Sequence, residues 1–158
     1  MRTDTRLSRM LHVLIHMDRH QQSATSDTLA QMLGTNPVVV RRTMALLKEQ
    51  GYVTSEKGHR GGWTLSKPLS EMSLLDIHQA LGSTSIFAIG LSTDHPQCLV
   101  EQAVNAVLTD AFDEAQALLL KRLGAITLAQ LAEDFDVRFR QVYAGDGADL
   151  SQVGQIGH

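Results

Sequence analysis

Leu7, Met10, Leu11 and Leu14 recur at three- and four-residue intervals, with Arg9, His12, His16 and His20 on the opposite side. That spacing predicts an amphipathic first helix from Thr3 or Asp4 to about His20. The polar run Gln21-Gln22-Ser23-Ala24-Thr25 breaks it. Ser26 then has the character of an N-cap, Asp27 lies in a first turn, and Leu29, Ala30 and Leu33 face inward before Gly34 stops a short second helix. Asn36-Pro37 opens a third helix, because an N-cap side chain precedes a proline whose missing N–H costs nothing in the first turn. Val40, Met44 and Leu47 share one face of this helix, which runs to about Gln50 and ends at Gly51. Two short helices joined by a tight turn containing glycine match a helix-turn-helix. Tyr52-Val53-Thr54 and Trp63-Thr64-Leu65 have strand propensity and enclose a polar, glycine-rich tip over 55–62, so a hairpin, or wing, follows the third helix.

Ser73 caps a further short helix over 74–81, and the connection after it carries the apolar patch Ile86-Phe87-Ala88-Ile89. A long helix is expected from near Cys98 to Arg122 or Leu123, ended by Gly124. Its stripe is Val100, Val104, Val107, Leu108, Ala111, Ala115, Leu118 and Leu119. Thr127 caps a last helix with Leu128, Leu131 and Phe135 on one side. From residue 145 onward no apolar period remains, and a disordered tail is expected over 145–158. The fold class is mainly α with a small β-hairpin: a winged helix-turn-helix followed by a long helix.

Composition narrows the function. Of the 158 residues 43% are hydrophobic and only 4% aromatic, so the core must be built from Leu, Val, Ala and Met. No apolar run is long enough to span a bilayer, the opening residues do not read as a secretory signal, and no membrane partner is expected. The single cysteine, Cys98, leaves no intrachain disulfide and no Cys-rich zinc module, and a reducing cytoplasm is the simplest location. The net charge of −3 hides a division: residues 1–70 carry ten Lys and Arg against five Asp and Glu, while residues 71–158 carry four against twelve. A basic first half facing an anionic partner fits that split.

The third helix presents Val38, Val39, Arg41 and Arg42 near its N-terminus, off the inward face. The N-terminal residues of such a helix reach base edges in the major groove, where arginine bonds guanine or phosphate and valine packs on thymine methyls. Ser26 and Asn36, at the starts of the second and third helices, join the candidate DNA-contacting set. The wing tip adds Lys57, His59 and Arg60, with Gly61 and Gly62 permitting close approach to a phosphate or a minor groove. The same residues also fit an ordinary three-helix core with a solvated arginine pair, but the wing and the charge division favour double-stranded DNA.

The segments NPVVVRR, GYVTSEKGHRGGWTLSKP and MSLLDIHQAL closely resemble the Rrf2 family of bacterial winged-helix transcriptional regulators, and the resemblance runs over about residues 5–135. It implies a homodimer on a palindromic operator, repression in most members, and a long helix that crosses to the partner and builds the interface. On that basis the chain divides into a winged helix-turn-helix DNA-binding domain at 1–70, a linking helix and sensor-region loop at 71–97, dimerisation helices at 98–144, and the tail. A long Val/Leu/Ala stripe far from the N-terminal core needs something to bury against in any case, either a partner or its own chain.

The sequence departs from the family pattern in the sensor region. Cluster-binding members place three cysteines before the long helix, and this chain has Cys98 alone, so no iron–sulfur cluster and no other cofactor is carried over. It looks like the cluster-free branch, some members of which are thought to sense through a cysteine or a small molecule. Cys98 sits at a helix start, where the macrodipole favours a thiolate, with His95 helping when protonated and Asp94 opposing. Redox sensing by sulfenic acid, a thiol adduct or an interchain disulfide stands beside a buried, small apolar residue. His12, His16 and His20 lie along one helix face. Neighbours in that series can share a metal, but all three are too far apart for one ion, so a solvated polar stripe is the better reading and no metal site is expected. An enzyme would need an orienting group and oxyanion donors around Cys98 and His95, and nothing marks them; no enzyme is expected. Two alternatives remain: a regulator of the same fold that binds a small ligand in the dimer cleft without cysteine chemistry, and a protein-interaction module that does not bind DNA.

Overall fold

The computed structural model describes residues 4–58, 61–82, 86, 87 and 89–143. The expected tail over 145–158 lies outside the described residues. Helix α1 (Arg6–His20) begins beside Asp4, whose carboxylate accepts the Arg6 backbone N–H at 2.9 Å, and ends at Gln21 in the left-handed region with φ of 49°. It buries Met10, Val13, Leu14 and Met17, while Leu7 and Leu11 lie half-buried. The buried face is therefore turned from the stripe read in sequence, because partners pack on α1 from more than one side.

Helix α2 (Ser26–Leu33) corrects the expected cap. Thr25, not Ser26, is the N-cap: its hydroxyl accepts the Thr28 N–H at 3.1 Å. Both residue types cap well, so local sequence does not choose between them. The choice is tertiary. Ala24 forms a bridge with Trp63, exchanging N–H to O bonds of 3.0 and 2.9 Å, and this holds the preceding chain extended up to Thr25. Ser26 is left to accept the indole Nε1–H of Trp63 at 2.9 Å. Helix α3 (Pro37–Glu49) begins as expected, with Asn36 Oδ1 accepting the Val38 N–H at 2.8 Å and Pro37 in the first turn.

The wing pairs β1 (Val53–Glu56) with β2 (Gly62–Leu65) in antiparallel register, Val53 opposite Leu65 and Glu56 opposite Gly62. Both strands reach further toward the tip than the sequence suggests. Tyr52 is not in the ladder, because its N–H donates to Leu47 O at 3.0 Å where the chain leaves α3. After a short 3₁₀ turn (Leu69–Glu71), helix α4 (Leu74–Ala80) starts with a reciprocal capping box between Ser73 and Asp76.

Helix α5 (Leu99–Gly124) is followed by α6 (Leu128–Tyr143), capped as expected by Thr127, whose hydroxyl accepts the Gln130 N–H at 3.3 Å. The chain then returns to the N-terminal body. Leu128 donates to Met72 O at 2.8 Å, Leu74 donates to Ile126 O at 2.9 Å, and Leu128 and Ala132 join the core built around Leu14, Leu29, Met44, Leu47, Met72 and Ile77. An ion pair of 2.6 Å between Arg19 and Asp136 fastens α6 to α1. Helix α5 behaves differently: none of its residues is buried, although a single chain of this composition has ample apolar core elsewhere. Among the described residues no helix is long and apolar enough to cross a membrane.

Candidate nucleic-acid interface

The N-terminal half of α3 is built to show one face. Val40, Thr43, Met44 and Leu47 are buried, and this rotation turns Val38, Val39, Arg41 and Arg42 outward. Val38 and Val39 are 56% and 49% exposed, which is costly for branched apolar side chains unless something covers them. Among the described residues no carboxylate pairs with Arg41 or Arg42. Asn36 is exposed, but its side-chain oxygen is committed to capping α3.

Arg41 does not stand alone. It lines a cleft with Thr25, Ser26, Lys57, Gly61 and Trp63, so α3, the start of α2 and the wing converge on one concave surface. Three contacts set that convergence: the Ala24–Trp63 bridge, the Trp63–Ser26 hydrogen bond, and the Lys48 ammonium donating to Ser55 Oγ at 2.7 Å. Sequence reasoning missed Trp63 and Lys48, whose partners are distant in the chain or reached only once the hairpin folds. It also missed that Asp27 and Glu56 line the same cleft. The cleft is thus mixed in charge, and its carboxylates can accept from a cytosine amine as its cations donate to guanine or phosphate. His59 and Arg60 lie outside the described residues.

Gly61 and Gly62 have a second reason to be glycine. A Cβ on Gly61 would run into the Glu56 carbonyl, and one on Gly62 would come within 2.8 Å of the Ala24 carbonyl oxygen. In both cases the obstacle is backbone, which cannot swing aside. Gly61→Ala is therefore expected to cost about 1–3 kcal/mol, the usual range for overpacking. Urea unfolding of the variant checks this; an unchanged midpoint would mean that the tip relaxes freely.

Cys98 is exposed at the N-cap of α5, which removes the reading of it as a buried apolar residue within the chain. Its backbone N–H donates to His95 O at 2.8 Å. The loop before it is lashed to the first turns of α5. Glu101 accepts the His95 N–H at 3.2 Å, Gln102 donates to Pro96 O at 2.9 Å, and Asn105 donates to Ser92 O at 2.8 Å. The signal for this was in the sequence: Glu101 and Asn105 are hydrogen-bonding positions four apart, on one face of the first turns of α5. Along α5, Val100, Val104, Val107, Ala111, Ala115, Leu118 and Leu119 are exposed, while Leu108 is half-buried.

The family model for Rrf2, described as an iron-dependent transcriptional regulator, matches residues 3–134. YwnA of Bacillus subtilis, named as a candidate HTH-type transcriptional regulator, is 31% identical over 128 residues, covering 79% of this chain and 92% of its own. A candidate transcriptional regulator from Lactobacillus plantarum, solved by crystallography, is similar with a TM-score of 0.72 at 25% identity, covering 87% of this chain and 97% of the other. The oxidised form of Staphylococcus aureus CymR shares the fold with a TM-score of 0.56 at 21% identity, over 84% of this chain and 97% of that one. The description of the family names iron, but the donors present do not fit a cluster. The chain holds one thiol, and among the described residues no three His, Cys, Asp or Glu side chains gather to hold a metal.

Proposed function

The chain belongs to the Rrf2 family of transcriptional regulators, and from that premise we propose that it represses transcription as a homodimer bound to a palindromic operator. The observation that carries this reading is the outward face of α3, where Val38, Val39, Arg41 and Arg42 stand exposed beside the Lys57 wing. Such a face supplies apolar contact for thymine methyls and forked donors for guanine, and the wing follows the flanking backbone. Dimerisation is supported by α5, whose apolar stripe, Leu108 apart, is left exposed by the described residues. A two-fold dimer would set two α3 helices against half-sites about 10 bp apart, or a multiple of that. Selection of bound duplexes from random DNA tests the proposal. An inverted repeat with that spacing is expected, and recovery of unenriched sequence would oppose it.

The signal reading rests on Cys98. It is exposed, and it joins the loop lashed by Glu101 and Asn105 to the helix that would carry the dimer. Peroxide oxidising the thiolate to a sulfenate, with release of water, would place a new polar group at the start of α5 and alter the spacing of the two α3 helices. Cys98→Ser is expected to bind operator normally and to stay bound under peroxide that releases the parent protein. If Cys98→Ser still responds to peroxide, the thiol route is wrong. If neither protein responds to peroxide, a small ligand in the dimer cleft becomes the better reading of the signal.

A further inference from the structure

The DNA-binding and thiol readings leave one side-chain group unused, the histidines of α1. His12, His16 and His20 follow one another at four-residue spacing, and their rings are not equivalent. The His12 and His16 ring centres are 4.6 Å apart with planes tilted by 49°, whereas those of His16 and His20 are 6.2 Å apart and nearly parallel at 16°. These numbers can be held against what chelation requires. A zinc–nitrogen bond of about 2.0–2.1 Å puts the metal about 3.1 Å from the ring centre, and two imidazoles at a tetrahedral angle then have centres about 5 Å apart. The first pair sits within a few tenths of an ångström of that value. The second could be spanned only with metal and rings in a straight line. We infer that the His12–His16 pair is a two-imidazole chelating site for a divalent transition metal, copper or zinc, with water completing the coordination.

The site differs from a solvated stripe in a second respect. His12 is exposed but His16 is half-buried. Two imidazoles at i and i+4 on one helix face are a spacing that metal-binding helices use, and copper outranks zinc for nitrogen donors. The pair lies on α1, apart in sequence from α3 and from Cys98.

The test uses the full-length chain without an affinity tag. Copper(II) is titrated calorimetrically and its visible absorption band followed, with zinc in parallel. One equivalent per chain is expected. His12→Ala and His16→Ala should each weaken binding about tenfold or more, while His20→Ala and Cys98→Ser leave it unchanged. His12 is exposed, so its variant answers the question even if His16→Ala disturbs folding, which thermal unfolding monitors. Binding that survives His12→Ala, disappears in Cys98→Ser, or is absent from the parent chain overturns the assignment.

Discussion

Replacing Arg41 and Arg42 together by alanine is expected to reduce operator affinity about a hundredfold or more and to flatten its dependence on salt. Each arginine that makes a forked contact to guanine is worth about 1–3 kcal/mol of discrimination, and each phosphate contact contributes about 0.9 to the slope of log affinity against log salt. A dimer would present both residues twice, so the loss repeats at each half-site. The fold should not respond. Both side chains are exposed, neither is paired with a carboxylate among the described residues, and the core face of α3 is untouched. Thermal unfolding should therefore coincide with that of the parent, while fluorescence anisotropy with operator DNA shows weak, sequence-indifferent binding. If affinity and salt slope are both unchanged, α3 is not the reading element, and an interaction module without DNA binding becomes the better account. The single variants divide the effect. Arg41 faces the cleft shared with the wing, so its loss should relax sequence preference more than the loss of Arg42.

The outward face of α3 was legible in the sequence because its determinants are local. Gly34, with φ of 58°, and the Asn36 cap beside Pro37 fix the turn and the start of α3 within a few residues. Once those are set, helical periodicity alone turns Val40, Met44 and Leu47 inward and the arginines outward. Determinants that act across the chain were not legible. Trp63 decides which of Thr25 and Ser26 caps α2, through a backbone bridge to Ala24 and an indole hydrogen bond to Ser26. No spacing rule connects those positions. The docking of α6 on α1 through Arg19 and Asp136 is likewise invisible until both helices are placed. Charge was legible only coarsely: the first half is basic as a whole, yet the cleft beside α3 also holds Asp27 and Glu56. The fold rests on apolar positions that recur periodically, whereas the site depends on which polar groups tertiary contacts leave unspent.

Val107→Glu on α5 is expected to convert the protein to a monomer. Val107 is 68% exposed in the single chain, so a carboxylate there meets water and costs that fold nothing. In a dimer built on the stripe of Val100, Val104, Val107, Ala111 and Leu118, the same carboxylate must lose its water without a designed partner, and two-fold symmetry imposes the penalty twice. That asymmetry makes the variant informative: it separates assembly from folding, which a core substitution cannot do. Sedimentation should give a mass near the 17.3 kDa of one chain, and the melting temperature should lose any dependence on protein concentration. DNA affinity should fall by about two to four orders of magnitude, because a second half-site no longer binds as part of the same molecule. A Val107→Glu protein that remains dimeric would mean that the α5 stripe is not the interface. The dimer would then have to be built on another face of the chain.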